Sequence, residues 1–512
     1  MHGVVAAGDP QTAAAGAELF AAGGNAMDAI VAAAFAAFVC ELPLCSPLGG
    51  GVMVVQPETG AAHALDMFGR TPGLGGARPT VLDFDHVEVD FGATTQVFHV
   101  GRGSAAVPLA LPGLLQAHQR WGSLPLSDVV APAVVLGRDG YQLGAGVAFA
   151  FRLLSPIIER TAESRMLFSD GDRIASTGAQ LDNRDLARSL SDICERPERV
   201  RDLMQAFAAE CGPAAGGLVT ERDVTEATVN DAVPLCVELG DWHLATMPGP
   251  STGGVLVALG LRLLGGVGKL PFGSAEHVLA LTDVQRTLLS VRDDSFDEEC
   301  RDAAFVRELL SDAKVAELRT RAAALHPDSP LGSTTHLSAL DEHGMAVSLT
   351  LTNGEGSGHV LSGTGMVINN LLGEEDIHPR GFHRDPPGKA LSTMMAPTVL
   401  TRGEDRIVLG SGGSNRLRNA ITQVVSALIE HGVTPEVAVT APRLHVQGTT
   451  LTLETRGLAA EAEAALQSAF GGHVAAFAEP NMFFGGVHLA LRRRGAFGGA
   501  GDARRGGSVR VV

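Results

Sequence analysis

The sequence predicts an α+β protein folded as one intertwined unit, on three observations. Helix and strand signals alternate over residues 1–60. Helical patterns dominate from Pro108 to about Arg321. Beyond residue 333 the periodicity switches to the alternation expected of strands. With 512 residues, length alone would suggest about two to four domains. No low-complexity linker or internal repeat marks a boundary, and this favours a single unit.

Each element has a local reason. Thr12 to Ala22 is an alanine-rich helix stopped by Gly23-Gly24, and Asn25 starts a second helix running to about Cys40. Its apolar stretch, Ala29 to Val39, is too short to span a bilayer and reads as a buried helix. Gly49-Gly50-Gly51 leads into a strand from Val52 to Gln56, and residues 70–105 are rich in turns. Pro248 to Gly254 and Asp328 to Ser333 read as loops, the second polar and exposed. His336 to Leu340 and Ala346 to Thr352 alternate as strands around a turn at Asp341 to Met345. Helical signals return at Asn419 to His431 and Leu458 to Phe470, and a strand at Gly486 to Leu491 closes the chain.

Composition excludes several functions. Hydrophobic residues are 45% and charged residues 19%, an ordinary globular balance. A formal net charge of −18 repels phosphate backbones, so no nucleic-acid partner is expected. Lys269, Lys314 and Lys389 are the only lysines, and the arginines are scattered except for Arg492-Arg493-Arg494 and Arg504-Arg505, which read as solvated surface. Cys40, Cys45, Cys194, Cys211, Cys236 and Cys300 form no CxxC pair and mostly sit among apolar neighbours, as free buried thiols do. The start, MHGVVAAGDPQ, lacks the basic and apolar regions of a signal peptide, so a soluble cytoplasmic protein with no membrane partner is expected. His336, His343, His359, His378 and His383 lack metal-ligand spacing, and no phosphate-binding GxxxxGK[ST] pattern occurs. No metal and no cofactor are expected.

The hairpin after residue 333 carries the chemistry. A five-residue loop centred on His343 pairs residues so that Thr334 falls opposite Thr352, with side chains roughly 4.5–5.5 Å apart at Cβ. Thr334, His336 and Ser338 then share one face and Ser348, Thr350 and Thr352 share the facing row, while Val347, Leu349 and Leu351 form the other, apolar face. The plain reading is that threonine favours strands and polar strand faces meet water. The functional reading requires the peptide bond before Thr334 to break. A threonine hydroxyl needs an adjacent base. A freed α-amino group, with a reference pKa of about 7.7–8.0, supplies one on the same residue.

These residues resemble the γ-glutamyltransferase family of N-terminal-nucleophile hydrolases. Ser333-Thr334-Thr335-His336-Leu337-Ser338, followed by Gly344 and Ala346-Val347-Ser348, is similar to that family's processing site. Further pieces follow in family order: Ala21 to Ala29, Gly49-Gly50-Gly51, Trp121 to Pro125, Met247 to Gly254, Asn369-Asn370, Leu391-Ser392-Thr393-Met394, Gly412-Gly413-Ser414, Ala441-Pro442-Arg443 and the tail around Asp502. The resemblance implies a four-layer αββα sandwich with two stacked antiparallel sheets. It implies self-cleavage between Ser333 and Thr334 into a large subunit, 1–333, and a small subunit, 334–512, that stay together as a heterodimer or a dimer of heterodimers.

Roles carry over by position. The resemblance makes Thr334 the nucleophile, Thr352 its hydrogen-bonding partner, and Gly412 and Gly413 the amides of an oxyanion hole. Ser392 and Thr393 would bind the substrate α-carboxylate, Asn353 would lie near the γ-glutamyl group, and Glu374 would hold the α-amino group. Three departures fall in this pocket. The arginine that grips the carboxylate is displaced by two places, to Arg70, although arginine suits such capture. The segment Asn353 to Gly358 is shorter than usual, and Leu371 stands where a polar residue helps hold the amino group. The activity implied is hydrolysis or transfer of a γ-glutamyl or similar amino-acid acyl group through a Thr334 acyl-enzyme, on a small amino-acid-like substrate. Two other readings stay open here: a C–C bond hydrolase of alkylproline- or pyrroline-type intermediates in natural-product biosynthesis, and a non-catalytic binding or scaffold homologue.

Overall fold

In the computed structural model, residues 2–90, 95–320, 334–378 and 380–512 are described. The chain is a mixed α/β protein with several antiparallel sheets. The strands of its two largest sheets, in chain order, are β1 (Gly3–Ala7), β2 (Gly50–Gln56), β3 (His63–Met67), β4 (Asn230–Ala232), β5 (Leu235–Leu239), β6 (Trp242–Thr246), β7 (Thr335–Asp341), β8 (Ala346–Thr352), β9 (Thr398–Arg402), β10 (Asp405–Gly412), β11 (Gly486–Arg493), β12 (Ala496–Ala500) and β13 (Ser508–Val511). A seven-stranded sheet runs β4-β3-β2-β8-β7-β1-β13, and a six-stranded sheet runs β5-β6-β9-β10-β11-β12. The first interleaves strands from before and after residue 333, which explains why no domain boundary is legible.

The helices pack where the sequence placed their apolar faces. Helix α1 (Pro10–Ala21) is capped by Asp9, whose carboxylate accepts from the Gln11 amide. Helix α2 (Ala26–Cys40) begins with a capping box: Asn25 accepts from the amides of Met27 and Asp28, and Asp28 accepts from the Asn25 amide. All fifteen residues of α2 are buried, as a helix apolar all round must be. Both helices pack on β1, and α2 also packs on β7 and β8. On the six-stranded sheet, α3 (Thr252–Leu264) contacts β5 and β6, and α4 (Arg416–Ile429) contacts β10 and β11. Among the described residues no helix is long and apolar enough to cross a membrane.

The hairpin register matches its loop length: Thr335 pairs with Leu351, His336 with Thr350 and Ser338 with Ser348. The polar row does not meet water. Strands β7 and β8 face β10 and β11 of the other sheet, and every residue of the hairpin strands is buried. The row is satisfied there. His336 hydrogen-bonds Thr350 and Ser338 through its two ring nitrogens, each at 2.9 Å, and Ser348 donates to the Leu409 carbonyl at 3.0 Å. Ser338 donates to the His488 carbonyl. Burial holds His336 neutral, well below the usual histidine range. A polar strand face can therefore be a buried seam once its hydrogen bonds are complete.

Elsewhere the structure corrects the reading. Strands β4 to β6 lie in the stretch expected to be helical, because Leu235, Val237 and Leu239 alternate inward and turn at Gly240-Asp241 into Trp242 and Leu244. Helix α3 starts inside the expected loop, its first turn capped by the Ser251 hydroxyl accepting from the Gly254 amide. Arg504 and Arg505 are buried, not on the surface. Arg504 is paired with Glu454 and Asp502, and Arg443 with Asp502 at 3.4 Å. Buried guanidinium groups persist only with partners, and Glu454 lies 50 residues from Arg504 in the chain.

Candidate active site

The loop 328–333, including Ser333, lies outside the described residues. Thr334 stands at the entry to β7 and is buried. Continuing the register by one pair sets it opposite Thr352, which pairs on its other side with Gly50. The Thr352 hydroxyl accepts from the Gly354 amide at 3.1 Å.

The Thr334 carbonyl meets the end of β10. A Cβ on Gly412 would lie 2.1 Å from that oxygen, so only glycine fits. Gly413 follows with φ 122, a conformation side chains resist. The pair precedes α4, whose first turn starts with the Arg416 amide donating to the Gly413 carbonyl. The Arg505 guanidinium donates to the Thr334 carbonyl at 3.3 Å. Ser414 donates to the Asp376 carboxylate.

An acidic corner lies beside Thr352, past Gly354. The Asn370 amide donates to the Asn353 carbonyl, and the buried Asn353 side chain makes no hydrogen bond. Gly354, with φ 63, lets Glu374 come close: a Cβ there would lie 2.9 Å from the Glu374 carboxylate. Burial, then the nearby carboxylates of Glu355 and Asp376, push Glu374 well above the usual carboxylate range. Glu355 is buried, with its amide donating to the Asn370 side chain at 2.8 Å. In the sequence it stands only within a shortened loop, although an acid flanked by glycines just after the Thr352 strand was the available signal. Leu371 is fully buried and packs against Gly69.

Arg70, Ser392 and Thr393 form a neighbouring group. The Arg70 backbone bridges Val107 and Ala390, and the Leu391 amide donates to the Gly69 carbonyl. The Arg70 guanidinium pairs with Asp66 at 3.1 Å and donates to the carbonyls of Phe68 and Thr228, both at 3.1 Å. It is thus committed to its own surroundings. Ser392 accepts from Arg301 at 3.4 Å, and the Thr393 hydroxyl accepts from the Met395 amide.

Beside the nucleophile position, Thr335 donates its hydroxyl to Glu41 at the end of α2. Glu41 is fully buried, and burial first, then Asp9, push it up to about 7. A carboxyl raised in the folded state gives stability that is present below its unfolded pKa and is lost as pH rises to about 7. Glu41→Gln is therefore expected to gain about 3 kcal/mol relative to wild type between pH 4.5 and pH 8. Urea midpoints at the two pH values check this; an equal difference at both contradicts it. Among the described residues no group of three potential metal ligands converges, and the six cysteines are free.

Comparison with known proteins gives this arrangement a context. The acylase ACY 1 proenzyme of Pseudomonas sp. (strain V22) is 30% identical over 477 residues, covering 88% of this chain and 84% of that protein. The glutathione hydrolase proenzyme of Pseudomonas aeruginosa is 29% identical over 479 residues, covering 87% and 83%. The crystal structure of cephalosporin acylase from Bacillus halodurans superposes with a TM-score of 0.82 over 99% of this chain and 95% of that one; at 22% identity this shows a shared fold. Residues 12–512 match the family described as gamma-glutamyltranspeptidase. With nearly the whole chain matched, and with the threonine hairpin and glycine pair brought together in the fold, the protein belongs to the gamma-glutamyltranspeptidase family.

Proposed function

We propose that this chain is a self-processing acyl-group hydrolase or transferase that uses Thr334, freed as an N-terminus, as its nucleophile. The observation that carries the reading is the contact between the Thr334 carbonyl and Gly412, which puts the hairpin against the glycine pair. The sheet-on-sheet packing with helices on the outer faces supports a four-layer αββα sandwich.

The chemistry follows from the groups present. The Thr334 α-amino nitrogen takes the hydroxyl proton, and Oγ attacks the amide carbon of the substrate. The amides of Gly412 and Gly413 receive the oxyanion. Collapse breaks the carbon–nitrogen bond, and the proton passes to the leaving amine. Water, or a second amine, then attacks the Thr334 ester.

On the substrate, the corner made by Glu374, Glu355 and Asn353 suits an ammonium on the acyl group. Arg70, bound to Asp66 and main-chain carbonyls, is a weak candidate for the α-carboxylate. Three anilides separate these contributions: γ-glutamyl, 4-aminobutanoyl (no carboxylate) and glutaryl (no amine). Losing the amine is expected to lower kcat/KM by about 10- to 100-fold, as for a lost charge-assisted hydrogen bond, and losing the carboxylate by less. Equal turnover of the glutaryl and γ-glutamyl anilides would sink the ammonium subsite. A cleanly processed protein that cleaves none of the three would sink the acyl-transfer reading.

A further inference from the structure

Arg505 also reaches into the site, at the Thr334 carbonyl. It enters from the short turn Ala503–Arg505, just before β13. Its stem is clamped against Gly486, where a Cβ would lie 2.8 Å from the Arg505 Cβ. One guanidinium nitrogen donates to the Thr334 carbonyl at 3.3 Å and the other to the Met482 carbonyl at 3.4 Å. The same two nitrogens lie 3.3 Å from where side chains on Gly412 and Gly413 would begin. Asp502, the acid that bears on Arg505 electrostatically, is bound by Arg443 and Arg504.

We propose that Arg505 is a positioning residue for Thr334: it fixes the threonine carbonyl against the glycine pair and keeps a positive charge beside the nitrogen that acts as base. The inference rests on the N-terminal-nucleophile reading above. Within one residue the nitrogen and carbonyl oxygen are about 3 Å apart, so the α-amino group sits roughly 6 Å from the guanidinium. A cation there disfavours the ammonium form and lowers the α-amino pKa by roughly one to two pH units at protein-like screening. The amine is then neutral, and able to accept the hydroxyl proton, at a lower pH.

The other titratable groups around this corner do not supply that effect. His336 and His488 are held neutral by burial, the latter down to about 4. Glu41, reached through Thr335, and Asp376, reached through Ser414, are acids and act in the opposite sense when ionised. Arg416 faces the Phe483 carbonyl at 3.2 Å. Burial outweighs Asp502 in the balance on Arg505 itself, which is lowered to about 10 and so remains charged.

The test is the pH dependence of kcat/KM in processed enzyme, whose acid limb reports the free-enzyme base. Arg505→Met is expected to move that limb up by one to two pH units, and Arg505→Lys to keep it near wild type. Glu41 is common to both variants and cancels. An unmoved limb in Arg505→Met overturns the proposal. If Arg505→Met fails to fold, the α-amino pKa of the processed wild type, followed by NMR of ¹⁵N-threonine-labelled protein, decides instead: a value below the reference of about 7.7 is expected, and one of 8 or above overturns it. A wild type that never splits before Thr334 would sink the nucleophile reading; a split protein with an ordinary α-amino group would sink only the role of Arg505.

Discussion

Thr334→Ala is expected to remain one chain of 512 residues and to lose turnover by a factor on the order of 10⁶, the scale set by removing a nucleophile from a hydrolase. The substitution removes the attacking oxygen and, by blocking cleavage, leaves the base locked in a peptide bond. Fold and stability should change little, because the methyl of alanine occupies the same strand entry and the carbonyl contacts with Gly412 and Arg505 belong to the backbone. Denaturing electrophoresis and anilide hydrolysis read both outcomes. Retained activity in this variant would remove Thr334 from the reaction.

Gly412→Ala is expected to cost roughly 10²- to 10³-fold in kcat, the price of an oxyanion donor. The added carbon would lie 2.1 Å from the Thr334 oxygen and 3.0 Å from its carbon, and both are backbone atoms at the entry to the paired strand β7. Neither β7 nor β10 can yield without moving the nucleophile against the amides, and displacements near 1 Å carry penalties of this size. Gly498→Ala is the control: in the same sheet its new carbon meets only the Leu491 side chain at 3.7 Å, so activity should stay at wild-type level. Equal behaviour of the two variants would contradict the close approach at Gly412.

The hairpin was legible because loop length and strand period together fix register, and both could be read from Asp341 to Met345 and its flanks. Helix α2 was legible from its cap and its unbroken apolar run. Strands β9 and β10 were not, although they pair as a hairpin and β10 ends at Gly412: their outer partners, β6 and β11, lie far off in sequence, and alternation is weak in strands buried on both faces. The arginines of the tail were misread because the sequence shows a charge but not its partner. Arg504 meets Glu454 and Arg505 meets the Thr334 carbonyl only after the chain has folded back. Glu355 was passed over for a similar reason, since its neighbours Glu374 and Asn370 arrive from another loop. The commitment of Arg70 to Asp66, four residues away, was local but depended on a turn the sequence did not define.

Intact-mass spectrometry of the freshly purified wild-type protein under denaturing conditions tests the central claim most directly. Two masses in equal amounts are expected, corresponding to residues 1–333 and 334–512, from material that co-elutes as one particle under native conditions. A single mass for the full chain, in a preparation that hydrolyses its substrate, would contradict it.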